Sequence, residues 1–412
     1  PSGGTSPYSY QWYNDTSGTP NAISGATSNT FSTLAKISCK LPIKIDLSNG
    51  QSSATPTPFQ QMILLPESDF GGCVQYNNNF ADFAFTYTNG TVIPSWIESN
   101  DSNTLIIWLK IKKGIPASSS ITIYMYTYPG TNLLSSSGTS GIGEAPELSS
   151  TYAEYDDGAA VFNNYWNWNW DGGTSALPST WYNSAPADIT LKNGNLWLNV
   201  NEITSSQNYA YYTTSVTTPF IFEGDLRSAS NSGGSPAITM SEGSSTSEDT
   251  LPGGMLTNGY GIDIIGFGPA LLSDNNIFDA LISSSGYAKI GVINTLPPFP
   301  SYGTPITLIW PKTGLEAVEY NYTEAGYFSD STISLASTEY ISFGYNAGSY
   351  YATGDFNWVR TRAYPPNGAM PTTTFYQNFY YYVVVKDSAT TPTSAQSNIG
   401  NYMVQYYYRY PP

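Results

Sequence analysis

Any chemistry on this chain is done without histidine, because its 412 residues contain none. That removes Ser-His-Asp and Cys-His nucleophile arrangements, and with them His-ligated zinc and haem. Two cysteines, Cys39 and Cys73, cannot make a four-cysteine metal site. No GxxxxGK[ST] or GxGxxG run follows a strand, so nucleotide binding has no motif. Paired carboxylates remain, since glycoside hydrolysis needs only two acids about 5–10 Å apart. Glu316 with Glu319, Glu144 with Glu147 and Asp263 with Asp279 are candidates. Nothing in their spacing selects one pair, and no enzyme activity is expected.

Binding chemistry has more to work with. Trp166, Trp168 and Trp170 in YWNWNW are spaced by two, which places all three on one side of a strand. Such a row is either a sugar-stacking platform or, as is commoner, a core or interface face. Asp156 and Asp157, just ahead of Gly158, have the oxygen ligands that Ca2+ takes. The same pair before glycine is also an ordinary turn, and no spaced acidic loop of EF-hand type is present. No cofactor is expected, Ca2+ being the one metal these residues admit. Cys39 and Cys73 form an even count, which in an exported chain favours a disulfide; two buried thiols are the alternative. Asn14, Asn89, Asn100 and Asn321 each open an N-glycosylation sequon.

Composition narrows the classes further. Aromatics reach 15% while charged residues are only 11%, where about 25% is usual. A disordered chain would show the reverse. With 37 glycines and 28 prolines and no sustained helical period, the chain reads as all-β. A net charge of −16 argues against nucleic acid and anionic membrane surfaces, which are bound through Lys and Arg. No signal peptide and no apolar run of 18 residues is visible. The chain starts at Pro1 without Met and is read as a processed, extracellular, cell-surface product.

The elements that must position these residues are strands. LPIKIDL (41–47) alternates strictly, and the pattern recurs in DFAFTY (82–87), TLIIWLKIK (104–112) and SITIYMYTY (120–128). Further on, NLWLNVNEI (195–203), PFIFEGDL (219–226), YAKIGVIN (287–294) and EYISFGYN (339–346) carry strand signals. Near the C-terminus FYYYVVV (379–385) and NYMVQYYYRY (401–410) do so again. In the latter, Tyr402, Val404, Tyr406, Tyr408 and Tyr410 share one face.

Three resemblances follow from the wording. FADFAFTYTNGTVIPSWIESND (80–101) with LIIWLKIKKGIPASSSITIYMYTYPG (105–130) resembles a prokaryotic surface β-domain of uncharacterised function, here spanning 36–136. Glu98, the one acid in its WIES signature, is read as structural. That domain is typically followed by a concanavalin A-like jelly roll. YAEYDDGAAVFNNYW (152–166) and TGDFNWVRTRAYPP (353–366) resemble its first and last strands, implying a jelly roll over 150–366. This fold is often a lectin or a glycan-processing enzyme. Finally, GGTSPYSYQWYNDTSGTPNAISGATSNTF (3–31) and the last forty residues resemble two halves of an immunoglobulin-like repeat of archaeal cell-surface proteins, with Trp12 at the core-tryptophan position.

The expected architecture is therefore three β-sandwiches: an Ig-like domain split into 1–34 and 372–412, the surface domain, and the jelly roll. A half-domain left alone would expose unpaired backbone groups. Either the two ends of one chain meet, or the end of one chain completes the start of the next, a head-to-tail contact that generates filaments. The leading expectation is a filament subunit partnered by copies of itself, with Trp12, Tyr381, Val383, Val385, Tyr402, Val404, Tyr406 and Tyr408 at the subunit interface and covalent glycans outside. The alternative is a monomeric glycan-binding adhesin that closes its own Ig-like domain.

Overall fold

The computed structural model describes residues 7–14, 21–28, 42–66, 70, 81–101, 104–137, 142–168, 174–192, 195–199, 207–231, 237–247, 256, 258–265, 277–283, 287–293, 304–309, 317–320, 323–327, 336–346, 352–386, 394–396 and 400–408. Among them the architecture is strands, one four-residue helix, Gly158–Val161, and one 3-10 turn, Pro366–Gly368. Among the described residues no helix is long and apolar enough to cross a membrane.

The first sandwich follows from alternation. In Ile43–Asn49 the burial pattern is strictly period two, with Ile43, Ile45 and Leu47 inside and Lys44 and Asp46 half-exposed. This strand pairs with Ser119–Thr127, which pairs in turn with Phe83–Tyr87. A four-stranded sheet, in the order Phe59–Pro66, Thr104–Ile111, Ser95–Asp101 and Gly143–Glu144, supplies the facing layer. Thr104–Ile111 departs from alternation at one point: Trp108 is buried together with Leu105, Ile107, Leu109 and Ile111. Both faces of this strand are covered, one by its own sandwich and one by the next.

The two ends of the chain join this same sandwich. Thr372–Lys386, fifteen residues long, spans about 50 Å at roughly 3.3 Å per residue. It outreaches any one neighbour, so each edge serves two. One edge carries Ile43–Asn49 and then Ser9–Asn14. The other carries Gly400–Tyr408 and then Ser394–Gln396. Trp12 faces Val383 across this ladder, and Tyr10 faces Val385. The halves expected to make a separate Ig-like sandwich thus extend the sheet of the first one, and Ser9–Asn14 is paired within its own chain.

The jelly roll is two antiparallel sheets. One runs Thr174–Ser175, Ile189–Lys192, Asn195–Asn199, Ala352–Ala363, Phe220–Asn231, Thr304–Ile309, Ala317–Tyr320 and Thr323–Tyr327, with Asn164–Trp166 also on Ala352–Ala363. The other runs Trp181–Asn183, Gln207–Tyr212, Thr338–Asn346, Ala237–Gly243, Gly259–Ile265, Ile277–Ser283 and Tyr287–Ile293. Phe343 packs between the layers, 4.9 Å from Phe356 and 5.4 Å from Phe222. Gly224 permits this approach, since a Cβ there would lie 2.9 Å from the Phe356 ring.

The sandwiches share one core. Val161, Phe162, Trp358 and Ala363 of the jelly roll cluster with Phe59, Trp96 and Trp108 of the first sandwich. Backbone groups cross as well: Ala363 N–H donates to Gln60 Oε1 at 2.9 Å, and Gln61 Nε2 donates to the Pro371 carbonyl at 3.0 Å.

Candidate functional site

On the outer face of the second jelly-roll sheet lies a group of stacked tyrosines. Register pairs Tyr182 with Tyr211 and Trp181 with Tyr212 across adjacent strands. Successive side chains point to opposite faces, so Tyr182, Tyr209 and Tyr211 fall outside while Trp181 and Ala210 fall inside and are buried. Tyr182 is 44% exposed, and Tyr209 and Tyr211 are half-buried. Their rings pack on one another: Tyr182 and Tyr211 stack at 5.0 Å, Tyr209 and Tyr211 at 6.0 Å. Tyr340, on the next strand, closes against Tyr211 edge-on at 6.1 Å. The backbone below is anchored by Tyr209 N–H donating to Ser184 Oγ at 2.9 Å. The result is an aromatic cluster, already in place, with Tyr182 exposed at its edge and the other rings half-buried.

The tryptophans YWNWNW lie beneath that surface. The strand ends at Trp166, and the chain turns at Trp168, whose φ of 51° is left-handed. Such backbone is strained for a bulky residue, so Trp168 does not continue the strand that carries Trp166. Trp168 is 3% exposed; it stacks on Trp166 and packs on Trp181 at 5.6 Å. Trp166 is half-buried against Trp181 and Tyr212. Trp168 therefore stiffens the underside of the sheet and offers no face to a ligand. Trp170 lies outside the described residues. The signal for the tyrosine face is present in WYN (181–183) and NYAYY (208–212), but only the cross-strand register unites the rings.

Asp156 is fully committed to the junction of the two sandwiches. It accepts from Trp96 Nε1 at 2.8 Å, Tyr165 Oη at 2.9 Å and Gly158 N–H at 3.0 Å. Burial still raises its carboxyl above the ordinary value, against those hydrogen bonds. Asp157 is raised to about 6 by burial and then by the Asp156 charge, with Lys110 pulling the other way. Among the described residues no group of three or more His, Cys, Asp or Glu could hold a metal.

Glu98 sits in the same junction, in a structural role. Its Oε2 accepts from Trp108 Nε1 at 2.6 Å and from Arg360 Nη2 at 2.7 Å. Arg360 also donates through Nε to Glu223, whose other oxygen accepts from Arg362 Nε at 2.8 Å. The Arg360 guanidinium is fully buried, with Phe162 at 4.2 Å, Trp358 at 4.4 Å, Trp108 at 4.8 Å and Trp96 at 5.4 Å around it. Burial alone would raise the Glu223 carboxyl, but the charges of Arg360 and Arg362 overcome it and hold it below the ordinary value.

Glu144 and Glu147 are engaged by different partners. Glu144 is buried and accepts from Ser149 Oγ at 2.6 Å, whereas Glu147 accepts from Asn357 Nδ2. Asp263 faces Asp279 across a strand pair, with side chains outside the described residues. A pair not anticipated is Glu242 with Glu339, both inside the jelly roll and both wholly buried. Burial and the neighbouring Glu339 charge push Glu242 well above the ordinary carboxylate range; burial also raises Glu339. Two like charges cannot both persist there, so a proton is retained.

Of the remaining candidates, Trp12 donates its indole N–H to the Ser28 carbonyl at 3.0 Å. Val385 is half-buried. Tyr381, Val383, Tyr402, Val404, Tyr406 and Tyr408 lie in paired strands, with side chains outside the description. Cys39, Cys73 and Asn321 fall outside the described residues. Asn14 and Asn100 lie in strands, and Asn89 lies in an exposed turn.

No protein-family model matches the chain. It is 29% identical over 379 residues to an uncharacterized protein, protein 562, of Sulfolobus islandicus rod-shaped virus 1. That similarity covers 85% of this chain and 62% of the viral protein, so the chain spans less than two thirds of this relative's length. Among solved structures it is similar to the carbohydrate recognition domain of Emp47p, with a TM-score of 0.35 and 11% identity over 46% of this chain and 90% of that one. It is similar also to an endo-β-1,3-glucanase from Pyrococcus furiosus, with a TM-score of 0.36 and 11% identity over 49% of this chain and 94% of the enzyme. Likeness at that level carries no argument about activity.

Proposed function

We propose that this chain is an extracellular glycan-binding protein whose sugar-stacking face is formed by Tyr182, Tyr209 and Tyr211. The observation that carries the reading is the tyrosine stack itself, with Tyr182 exposed at its edge. Sugar rings present one C–H-rich apolar face, and a preformed aromatic surface receives it while phenol hydroxyls meet the rim. Exposed aromatic patches on folded proteins mark interaction sites, and tyrosine joins a large apolar area to a polar tip. A chain of net charge −16 suits neutral ligands better than polyanions.

A glycan array followed by calorimetry on the best ligand tests the proposal. Tyr182→Ala and Tyr211→Ala are each expected to weaken binding about 10-fold or more, the ~1.4 kcal/mol or above of a central aromatic contact. Tyr182→Phe should retain most of it, and Tyr126→Ala, an exposed tyrosine elsewhere, should change nothing. Binding unaffected by Tyr182→Ala and Tyr211→Ala refutes the assignment.

A second reading, the filament subunit, is favoured by one feature. Gly400–Tyr408 pairs with Thr372–Lys386 on one side, and among the described residues nothing pairs with its other side. An open, uncharged nine-residue edge is a template for strand addition. Assembly abolished by Val404→Lys, seen by electron microscopy, would support it; filaments unchanged by that edge charge would exclude it.

A further inference from the structure

We propose that Asn89 carries an N-linked glycan whose first sugars lie in a cleft beside its own turn. Asn89-Gly90-Thr91 sits on the tight connection after Phe83–Tyr87, where Tyr87 N–H donates to the Thr91 carbonyl and Gly90 N–H to the Tyr87 carbonyl, both at 2.9 Å. Gly90 holds a φ of 80° that its lack of a Cβ permits. Thr88, Asn89, Gly90 and Thr91 are all exposed. Asn89 Oδ1 is tied to the Thr91 N–H at 3.0 Å. That bond fixes the side chain with its amide nitrogen, the atom that is glycosylated, outside the turn. Two other sequons differ: Asn14 pairs with Tyr381 and Asn100 with Leu105 inside strand ladders.

Beside this turn is a cleft of about 550 Å³ whose lining includes Tyr87, Asn89, Ile111, Lys112, Ile121 and Thr122. Its volume falls in the ~300–1,000 Å³ range of small-molecule sites. Tyr87 and the two isoleucines give it an apolar wall, while Thr122 and the exposed Lys112 give it donors. Burial raises the Tyr87 phenol, so it stays protonated and neutral. Its oxygen accepts from Lys112 N–H at 3.0 Å, which locks the ring in place. Aromatic wall, donors and sequon therefore share one small region. A sugar attached at Asn89 meets the cleft at an effective concentration in the millimolar range, enough to populate contacts too weak to hold a free sugar.

Attachment needs a polyprenyl-diphosphate-linked oligosaccharide and the exporting cell's transferase. The Asn89 Nδ2–C bond forms at the anomeric carbon, the bond from that carbon to the diphosphate breaks, and the amide proton leaves to a base of the transferase. The inference is separate from the tyrosine face and shares with it only the extracellular setting.

The test is secretion of the full chain from a host that modifies sequons, with glycopeptide mapping of the wild type, Thr91→Ala and Thr91→Ser. The Asn89 peptide should gain whole sugar masses in the wild type and in Thr91→Ser, and lose them completely in Thr91→Ala. Hydrogen exchange of residues 111–114 should be slower in the glycosylated wild type than after enzymatic removal of the glycan. Secretion with Asn89 bare overturns the modification, and a modified Asn89 with unchanged exchange overturns the seat in the cleft. Retention inside the cell with every sequon bare overturns the extracellular setting and this proposal with it.

Discussion

Removing both members of one buried charge pair should cost less than the sum of removing each alone. Arg360, Arg362, Glu223 and Glu98 are 0%, 1%, 0% and 4% exposed, and their formal charges cancel. Glu98→Gln keeps an acceptor for Trp108 Nε1 but leaves one buried cation uncompensated, a loss of about 3–5 kcal/mol. Arg360→Met reverses the imbalance and removes the ring contacts, at similar cost. Combining the two leaves Arg362 with Glu223, again neutral, so the pair should fall short of the sum of the singles by at least ~2 kcal/mol. The assay is urea unfolding followed by tryptophan fluorescence, suited because Trp96, Trp108 and Trp358 ring the guanidinium. Losses that add to within about 0.5 kcal/mol would refute the argument; the four residues would then be independent packing elements and not one electrostatic unit.

The retained proton of Glu242 and Glu339 gives a pH dependence of known sign. Their folded-state affinity for protons exceeds that of the unfolded chain, so stability is fully present below about 4.5, the ordinary value, and declines as pH rises, by up to ~1.4 kcal/mol per pH unit for each proton retained. Melting curves from about pH 4 to pH 8 should show this decline, and Glu242→Gln should flatten it; an unchanged slope would show that the pair is not its source. At the acid end Glu223, held low by its arginines, works oppositely, and its contribution disappears only as pH falls through its folded value. Trp168→Ala should destabilise the jelly roll by about 3–5 kcal/mol while the folded fraction keeps its glycan affinity; selective loss of binding without loss of stability would put this ring in the ligand site. Gly259→Ala would press a Cβ into the Glu242 carbonyl oxygen, backbone that cannot yield, and is expected to cost at least the ~1–3 kcal/mol of overpacking, read as a lowered urea midpoint.

What was legible in the sequence was whatever obeys a local period. The alternation of IKIDL is the burial pattern of Ile43–Asn49, and the strand signals at 219–226, 287–294 and 339–346 all fall on strands. Trp108 broke the period because a second domain covers its outer face, a tertiary fact with no local signature. Glu98 and Arg360 are 262 residues apart, and neither segment alone reveals that one needs the other. In YWNWNW, spacing by two implies a stripe only where the strand continues; the strand ends at Trp166 and Trp168 is left-handed and buried. The tyrosine face escaped because Tyr182 and Tyr211 meet through pairing register, which depends on the intervening loops.

The placement of Thr372–Lys386 also bears on the order in which the molecule can be made. Thr372 lies 324 residues beyond the Ser48 carbonyl that its hydroxyl bonds, so one edge of the first sheet stays open until nearly the whole chain has been synthesised. At ~5–20 residues per second that interval is roughly 16–65 s. A nascent chain whose first sheet cannot close for so long carries an unpaired strand edge, and that edge is covered only when the last strands arrive.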